Sequence, residues 1–369
     1  MKVALFTIFR VPNFGSVLQA YATQHVLEQQ GHECVVIDYY KANSLWKKMR
    51  TAFSPYRIAC RLGIKPQFRK PRQLNKFIKE NIHLSKRYEG VESLKKVDWK
   101  SYDAIIVGSD QVWNARYHGK DNVYLLSFIQ DDVVRYSLAS SFASKEILGD
   151  CKEEYGNALS KFRAISVRES NGVRLVKSLK IGKNAQLVLD PTLWLSGESW
   201  LSQFKPDKKA SREPFILLYM WTYAFEPRPY IYRVLQYWQN RLGGCKVIAL
   251  EGSPKEKDCG MKISDVADST IPEFMSLFAN ASLVVTSSFH GTAFALNFGR
   301  PLISIVPDGN GDDRQSSLLL SVGAENSIVH INDVPSEINP YYDNNKVENS
   351  LEQLRKESIQ WIVSNIRLI

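Results

Sequence analysis

Long apolar runs are missing from this chain. No stretch of about 18 apolar residues occurs in its 369 residues, so no membrane-spanning helix is expected. Cysteine is scarce: Cys34, Cys60, Cys151, Cys245 and Cys259 are odd in number, scattered and without a Cys-x-x-Cys pair. That pattern argues against a disulfide framework or a zinc site and for a reducing, cytoplasmic setting. Cys34 and Cys245 lie in strand-like runs, where core packing accounts for them. There is no glycine-rich dinucleotide loop, no Walker sequence and no His/Asp cluster with metal-ligand spacing, so no cofactor or metal is expected. Repeats and low-complexity tracts are also lacking. The opening Met1–Arg10 segment is too short an apolar stretch for a signal peptide, has no small-residue cleavage site, and reads as a first strand.

What is there is the composition of a globular protein, 44% hydrophobic and 23% charged, with length for two ordinary domains or one large one. Acidic residues run short in one place. Residues 41–100 hold 17 Lys+Arg against four Asp+Glu, a surplus of 13, while the rest of the chain carries net −3. One basic insert therefore accounts for the overall +10. Within it Trp46, Met49, Phe53, Ile58 and Leu62 recur at helical spacing among Lys47, Lys48, Arg50, Arg57 and Arg61. A basic helix with one apolar side can lie on an anionic membrane surface; an ordinary insert with a solvated charged face fits equally well. The segment has no recognised nucleic-acid-binding motif, and no nucleic-acid partner is expected.

Strand-like and helix-like segments alternate on both sides of the insert. Lys2 to Phe9, Cys34 to Tyr39, Ala104 to Val107, Val133 to Ala139, Ala164 to Val167 and Gln186 to Leu189 read as strands, with helices at Ser16 to Gln30, 146–161 and 170–179. After a polar stretch, Lys205 to Glu213, the alternation restarts. Phe215 to Met220, Lys246 to Leu250 and the runs Leu283 to Val285 and Leu302 to Val306 read as strands, and Tyr230 to Leu242 and Glu273 to Ala279 as helices. Such spacing implies βαβ units and parallel sheets. The expected fold is α/β with two Rossmann-like domains and a cleft between them. The N-terminal domain spans 1–204 with the insert 41–100, and the C-terminal domain spans 205–349. An amphipathic helix at 350–369 is expected to pack back across both.

Short polar segments punctuate the strand ends. In Ser288-Phe-His-Gly-Thr292, His290 falls at the carboxyl end of a strand and the amino end of a helix. Ligands bind in that crevice of an open α/β sheet, a helix N-terminus favours phosphate or carboxylate, and histidine moves protons near neutral pH. A buried or capping histidine is the alternative. Asn13 and Ser16, with Gly15 and Gln19, open the first helix and can hold a polar ligand or simply cap it. Asp110, Gln111 and Trp113 follow the strand Ala104 to Val107 and resemble a sugar site, although Asp110 as a cap and Trp113 as core fit as well. Arg168 ends another strand, where arginine suits a carboxylate or phosphate or an internal ion pair. Asp190 stands before Pro191 as a turn or site residue. Arg314 begins a later helix.

Taken together, residues 13–21, 107–114, 166–169, 189–193 and 288–292 resemble the polysaccharide pyruvyl transferase family, in the family's order and across nearly the whole chain. The resemblance implies a GT-B-like pair of Rossmann-type domains. It also implies transfer of a pyruvyl group from phosphoenolpyruvate to a sugar of a surface polysaccharide or glycolipid, forming a cyclic ketal and releasing phosphate. Carried over to these positions, it makes His290 a catalytic candidate, as the acid or as the donor's phosphate partner; Asp110 is added from the chemistry of the reaction, as a base or a ligand of the acceptor hydroxyls. Arg168, Ser288, His290, Gly291 and Thr292 become candidates for phosphoenolpyruvate, to which Arg314 is added from position only. Asn13, Gln19, Asp110, Gln111 and Trp113 are the candidates for the acceptor sugar. The protein is then expected to be cytoplasmic; if the acceptor is lipid-linked, residues 41–100 would hold it at the inner face of the membrane. A GT-B glycosyltransferase using a nucleotide-sugar, or a non-catalytic subunit of a polysaccharide assembly complex, remains open at this point.

Overall fold

The structure is a computed structural model that describes residues 1–41, 59, 62–63, 65–118, 122–206, 213–308 and 313–367. Trp46, Lys47, Lys48, Met49, Arg50, Phe53, Arg57, Ile58 and Arg61 lie outside the described residues, and Leu62 is exposed. Two compact units emerge. The first comprises Met1–Leu62, Asn75–Trp194 and Leu354–Ile369; the second comprises Gly63–Leu74 and Leu195–Gln353. Residues 63–74, inside the basic insert, thus group with the second unit.

In the first unit β1 (Lys2–Phe6), β2 (Glu33–Val36), β5 (Ala104–Val107), β6 (Arg135–Ser140), β7 (Ala164–Val167) and β8 (Ala185–Leu187) form one sheet. Its order is β2-β1-β5-β6-β7-β8, and every pairing is parallel. A small parallel pair, β3 (Tyr39–Tyr40) and β4 (Tyr88–Glu89), stands apart. The chain winds one way from β1 to β2 and the other way from β1 to β5, so the sheet reverses between β1 and β5. β5 is buried at every position and reads as a continuous apolar run rather than an alternating one; β6 is buried throughout as well, although it carries Arg135, Ser137 and Ser140. β1 ends at Phe6, three residues before the expected end, and just beyond it the Thr7 hydroxyl donates to the Ser109 carbonyl at 2.9 Å. The helix Phe14–Gln29 is buried around most of its circumference. Leu354 onward, the last part of the helix Asn344–Asn365, packs here: Ser358 accepts from the Leu189 N–H at 2.9 Å and Arg355 donates to the Leu193 carbonyl at 2.8 Å.

The second unit holds β9 (Phe215–Tyr219), β10 (Lys246–Glu251), β11 (Ile263–Asp265), β12 (Leu283–Thr286), β13 (Leu302–Ile305) and β14 (Ile328–Val329). The order is β11-β10-β9-β12-β13-β14, again all parallel. Three strands wind outward on each side of the β9/β12 junction, the doubly wound Rossmann order. The helix Tyr230–Arg241 buries Ile231, Val234, Leu235 and Trp238 against the sheet's apolar face. At Ile271–Asn280 a capping box closes the helix start, with Thr270 and Glu273 satisfying each other's main-chain N–H groups. β11 and β14, three and two residues long, are edge strands absent from the sequence expectation. Among the described residues no helix is long and apolar enough to cross a membrane.

Gly252, just past β10, has φ +70°, and a Cβ there would stand 2.5 Å from the Met220 carbonyl oxygen. Left-handed backbone and close approach both require glycine. Gly252→Ala is expected to cost about 2–4 kcal/mol in urea unfolding. A loss below about 0.5 kcal/mol, the range of an ordinary surface change, would contradict the close approach.

Candidate functional site

Each sheet gathers its polar residues at the carboxyl ends of the strands flanking its reversal, where open α/β sheets take ligands. In the first unit these are residues after β1 and β5, joined by Arg168 from the end of β7, two strands further along. Asn13 is the N-cap of Phe14–Gln29, its Oδ1 accepting from the N–H groups of Gly15 at 2.8 Å and Ser16 at 3.4 Å. Gln19 is fully buried, with its amide donating to Thr7 Oγ1, the Ile8 carbonyl and the Ser16 carbonyl, each at 2.9 Å. Both side chains hold the turn after β1 together. Trp113 has no exposed surface. Its ring packs 5.2 Å from Phe142 and 5.9 Å from Phe162, and its indole N–H donates to the Tyr124 carbonyl at 3.2 Å. The ring therefore offers no face to a sugar. Gln111 is half-buried and accepts from the Asn114 amide at 2.9 Å.

Asp110 and Arg168 do come together. Asp110 has φ +71°, a left-handed conformation unusual for a residue with a Cβ, held by the Ser141 N–H donating to its carbonyl at 3.1 Å. Its carboxylate accepts from the Ser16 hydroxyl at 2.5 Å and lies 3.4 Å from the Arg168 guanidinium. Arg168 also donates to Asp190 at 2.6 Å and to the Ser109 hydroxyl at 3.3 Å. Asp190 in turn accepts from Ser109 Oγ, the Thr192 N–H and Thr192 Oγ1 at 2.9, 3.0 and 2.6 Å. The Arg168 and Asp190 side chains are wholly buried. One guanidinium lies between two carboxylates, so the cluster keeps a net negative charge, and Arg168 serves first as the counter-charge of Asp190 and Asp110. Glu169 beside it anchors the loop after β6, accepting from the Phe142 N–H at 2.8 Å.

In the second unit the sheet reverses between β9 and β12, and His290 sits there in the first turn of Phe289–Asn297, nearly buried. The helix starts hard against the strand end. Thr286 Oγ1 donates to the Tyr219 carbonyl at 2.7 Å and accepts from the Ser288 N–H at 3.0 Å. Ser287 Oγ accepts from the Trp221 N–H at 2.9 Å and donates to the Trp221 carbonyl at 2.7 Å. A Cβ on Gly291 would overlap the Thr286 hydroxyl and meet the Tyr219 ring, so this turn needs glycine. Ser288 occupies the N-cap without making a side-chain capping bond, leaving its hydroxyl available to a ligand. Thr292 faces inward: its hydroxyl donates to the Ser288 carbonyl at 3.1 Å and shares Ser304 Oγ with the Gln315 amide.

Arg314, in the first turn of Arg314–Val322, is buried, with its guanidinium 5.6 Å from the centre of the Phe289 ring and 3.2 Å from the Tyr223 hydroxyl, to which it donates. Tyr223 packs edge-on against Trp221 at 5.9 Å. Two helix starts, a histidine and an arginine thus converge on the β9/β12/β13 ends, an arrangement able to bind an anion and deliver a proton.

Sequence reasoning missed Lys70 and Glu251. Lys70 is 3% exposed and ion-pairs with Glu251 at the end of β10, its ammonium 5.3 Å over the Trp221 ring. Burial pushes the Lys70 ammonium below its ordinary pKa and the Glu251 carboxyl above its own, and each partner's charge opposes the other's shift. Nothing in the sequence marks Lys70 among so many basic neighbours. Among the described residues no group of three or more His, Cys, Asp and Glu side chains could hold a metal.

Removing the guanidinium strands a buried carboxylate at Asp190. Arg168→Met is expected to cost about 3–5 kcal/mol, read from the denaturation midpoint, whereas Asp190→Asn/Arg168→Met recovers most of it. A single variant as stable as the wild type would show that the cluster is not a buried ion pair.

The family model for polysaccharide pyruvyl transferase matches residues 13–309. No curated protein matches the chain in sequence. Among solved structures, the UDP-GlcNAc 2-epimerase from Methanocaldococcus jannaschii aligns with TM-score 0.55 at 12% identity, covering 95% of this chain and 92% of its own. The UDP-GlcNAc 2-epimerase from Neisseria meningitidis, bound to UDP-GlcNAc, aligns with TM-score 0.53 at 11% identity over 99% and 94%. A glycotransferase of kitacinnamycin gives 0.52 at 10% identity over 99% and 98%. At such identities the likeness speaks to fold, and it is the GT-B-like fold of two Rossmann-like units. With most of its length matched, the chain belongs to the polysaccharide pyruvyl transferase family, transferases that modify polysaccharides.

Proposed function

We propose that the protein transfers the pyruvyl group of phosphoenolpyruvate to two hydroxyls of one sugar in a surface polysaccharide or glycolipid precursor, forming a cyclic ketal and releasing phosphate. The observation that carries this reading is His290, with Arg314 and two helix starts, at the reversal of the second sheet in a chain of this family. Phosphoenolpyruvate brings a phosphate and a carboxylate, and helix N-termini with fixed positive charge suit both. Ser288, Gly291 and the main chain of this turn would contact the phosphate, with Thr292 holding the turn from within.

The reaction balances in two steps. A proton goes to the methylene carbon while the first sugar hydroxyl adds to the neighbouring carbon and loses its own proton. The second hydroxyl then attacks the same carbon, the carbon–oxygen bond to phosphate breaks, and its proton leaves with phosphate or a base. His290 is proposed as the proton donor or as the phosphate's partner. Asp110, already polarising a hydroxyl at Ser16, is proposed as the group that accepts from the sugar; Gln111 would assist in holding it. No step calls for a metal.

His290→Ala is expected to lower acceptor-dependent phosphate release from phosphoenolpyruvate by about 100-fold or more, with the fold unchanged by circular dichroism. Release that persists undiminished overturns the assignment, and binding of a nucleotide-sugar in place of phosphoenolpyruvate overturns the reaction. We further propose that the basic insert holds the protein at an anionic leaflet. Neutralising Lys47, Lys48, Arg50, Arg57 and Arg61 together should abolish sedimentation with phosphatidylserine vesicles while sparing activity on a soluble sugar. Equal sedimentation before and after contradicts it.

A further inference from the structure

Lys70 departs from the rest of the basic insert. Arg69 and Lys76 put charge on the surface, with side chains 45% and 70% exposed, whereas the Lys70 side chain is 4% exposed. Burying a lysine is costly unless its charge is met, and Glu251, 181 residues away in sequence, meets it. Arg69 adds a second ion pair to the same unit, donating to Asp268 at 2.7 Å. The part of helix Pro66–Asn81 that belongs to the second unit is thereby held near the carboxyl ends of β10 and β11 through adjacent side chains.

What Lys70 touches gives the pair its meaning. Its ammonium stands over Trp221, a position that attracts a cation to the ring face. The Trp221 main chain is gripped at both N–H and carbonyl by Ser287, three residues before His290. Its ring meets Tyr223, which accepts from Arg314, and Arg314 lies over Phe289, the residue before His290. Two contact paths lead from the Trp221 position, one through main chain and one through side chains, and both end at the first turn of Phe289–Asn297. On the far side Glu251 is itself tied to β9, its carbonyl accepting from the Met220 N–H at 3.2 Å.

We propose that Lys70 is a positioning residue for the His290 site, setting through Trp221 the placement of Ser287, His290 and Arg314. Lys70 meets Glu251 and the Trp221 ring, and its action on the site runs through Trp221. The inference rests on reading the His290 turn as the ligand site.

The test separates stability from positioning. Lys70→Met and Glu251→Met singly leave one buried charge and should each destabilise the protein. The double variant Lys70→Met/Glu251→Met replaces a buried pair by apolar chains of similar length, an exchange often neutral in stability, and thermal unfolding checks that it is folded. In that folded double variant the imidazole NMR signal of His290, assigned with His290→Ala, is expected to move while those of the other five histidines hold. Phosphoenolpyruvate binding by calorimetry should weaken about tenfold or more, since small misplacements at a site carry large costs, and Lys70→Arg, which keeps the cation over Trp221, should restore binding to near wild type. A stationary His290 signal in the folded double variant overturns the proposal. If the wild type fails to bind phosphoenolpyruvate while the His290 signal still moves, the donor assignment falls and the positioning role stands. Should the double variant not fold, Trp221→Leu serves as the second probe: it removes the ring and keeps the ion pair, and an unmoved His290 signal there overturns the proposal equally.

Discussion

Ser287 Oγ accepts from the N–H and donates to the carbonyl of Trp221, and the second unit's site depends on that pair of hydrogen bonds. Where β9 and β12 part at the reversal of the sheet, ladder partners run out and the main chain must find others or pay the cost of unmet polar groups. Thr286 and Ser287 supply them with hydroxyls short enough to stay inside the turn. The space left is so narrow that residue 291 can carry no side chain. The helix consequently begins one residue after the strand's polar end, with His290 in its first turn and the helix start pointing out of the carboxyl edge.

The first unit uses the same chemistry differently. Ser109, Ser137, Ser140 and Ser166 carry hydroxyls that bridge the ends of β5, β6 and β7, and a buried Arg168 joins Asp190 to Asp110. The cluster's hydrogen bonds join its own members, an arrangement suited to aiming the Asp110 carboxylate. In the second unit the convergent groups are a histidine, an arginine on an aromatic face and two helix starts, whose sign suits an anion. That contrast in charge supports the proposal that phosphoenolpyruvate is taken at the His290 turn.

Much of this was legible in the sequence. Ala104–Val107 and Ala164–Val167 are strands with the expected ends, because buried parallel strands are continuous apolar runs closed by polar residues. His290 and Arg168 stand at strand ends for the same reason. Edge strands Ile263–Asp265 and Ile328–Val329 were not legible, being only three and two residues long. Nor could spacing tell which way Trp113 turns: an indole after a strand serves a sugar or a core equally, and packing against Phe142 and Phe162 decided for the core. Lys70 was hidden for a further reason, since its partner lies 181 residues on and its neighbours are basic too.

The most direct test of the account is the position of phosphoenolpyruvate in a crystal of the protein grown with it. The account predicts its phosphate at the start of Phe289–Asn297, within hydrogen-bond distance of His290 and the main-chain N–H groups of that turn, with Arg314 on the same side. Phosphoenolpyruvate bound instead at the Arg168–Asp190 cluster, or a nucleotide occupying the His290 turn in its place, would contradict it.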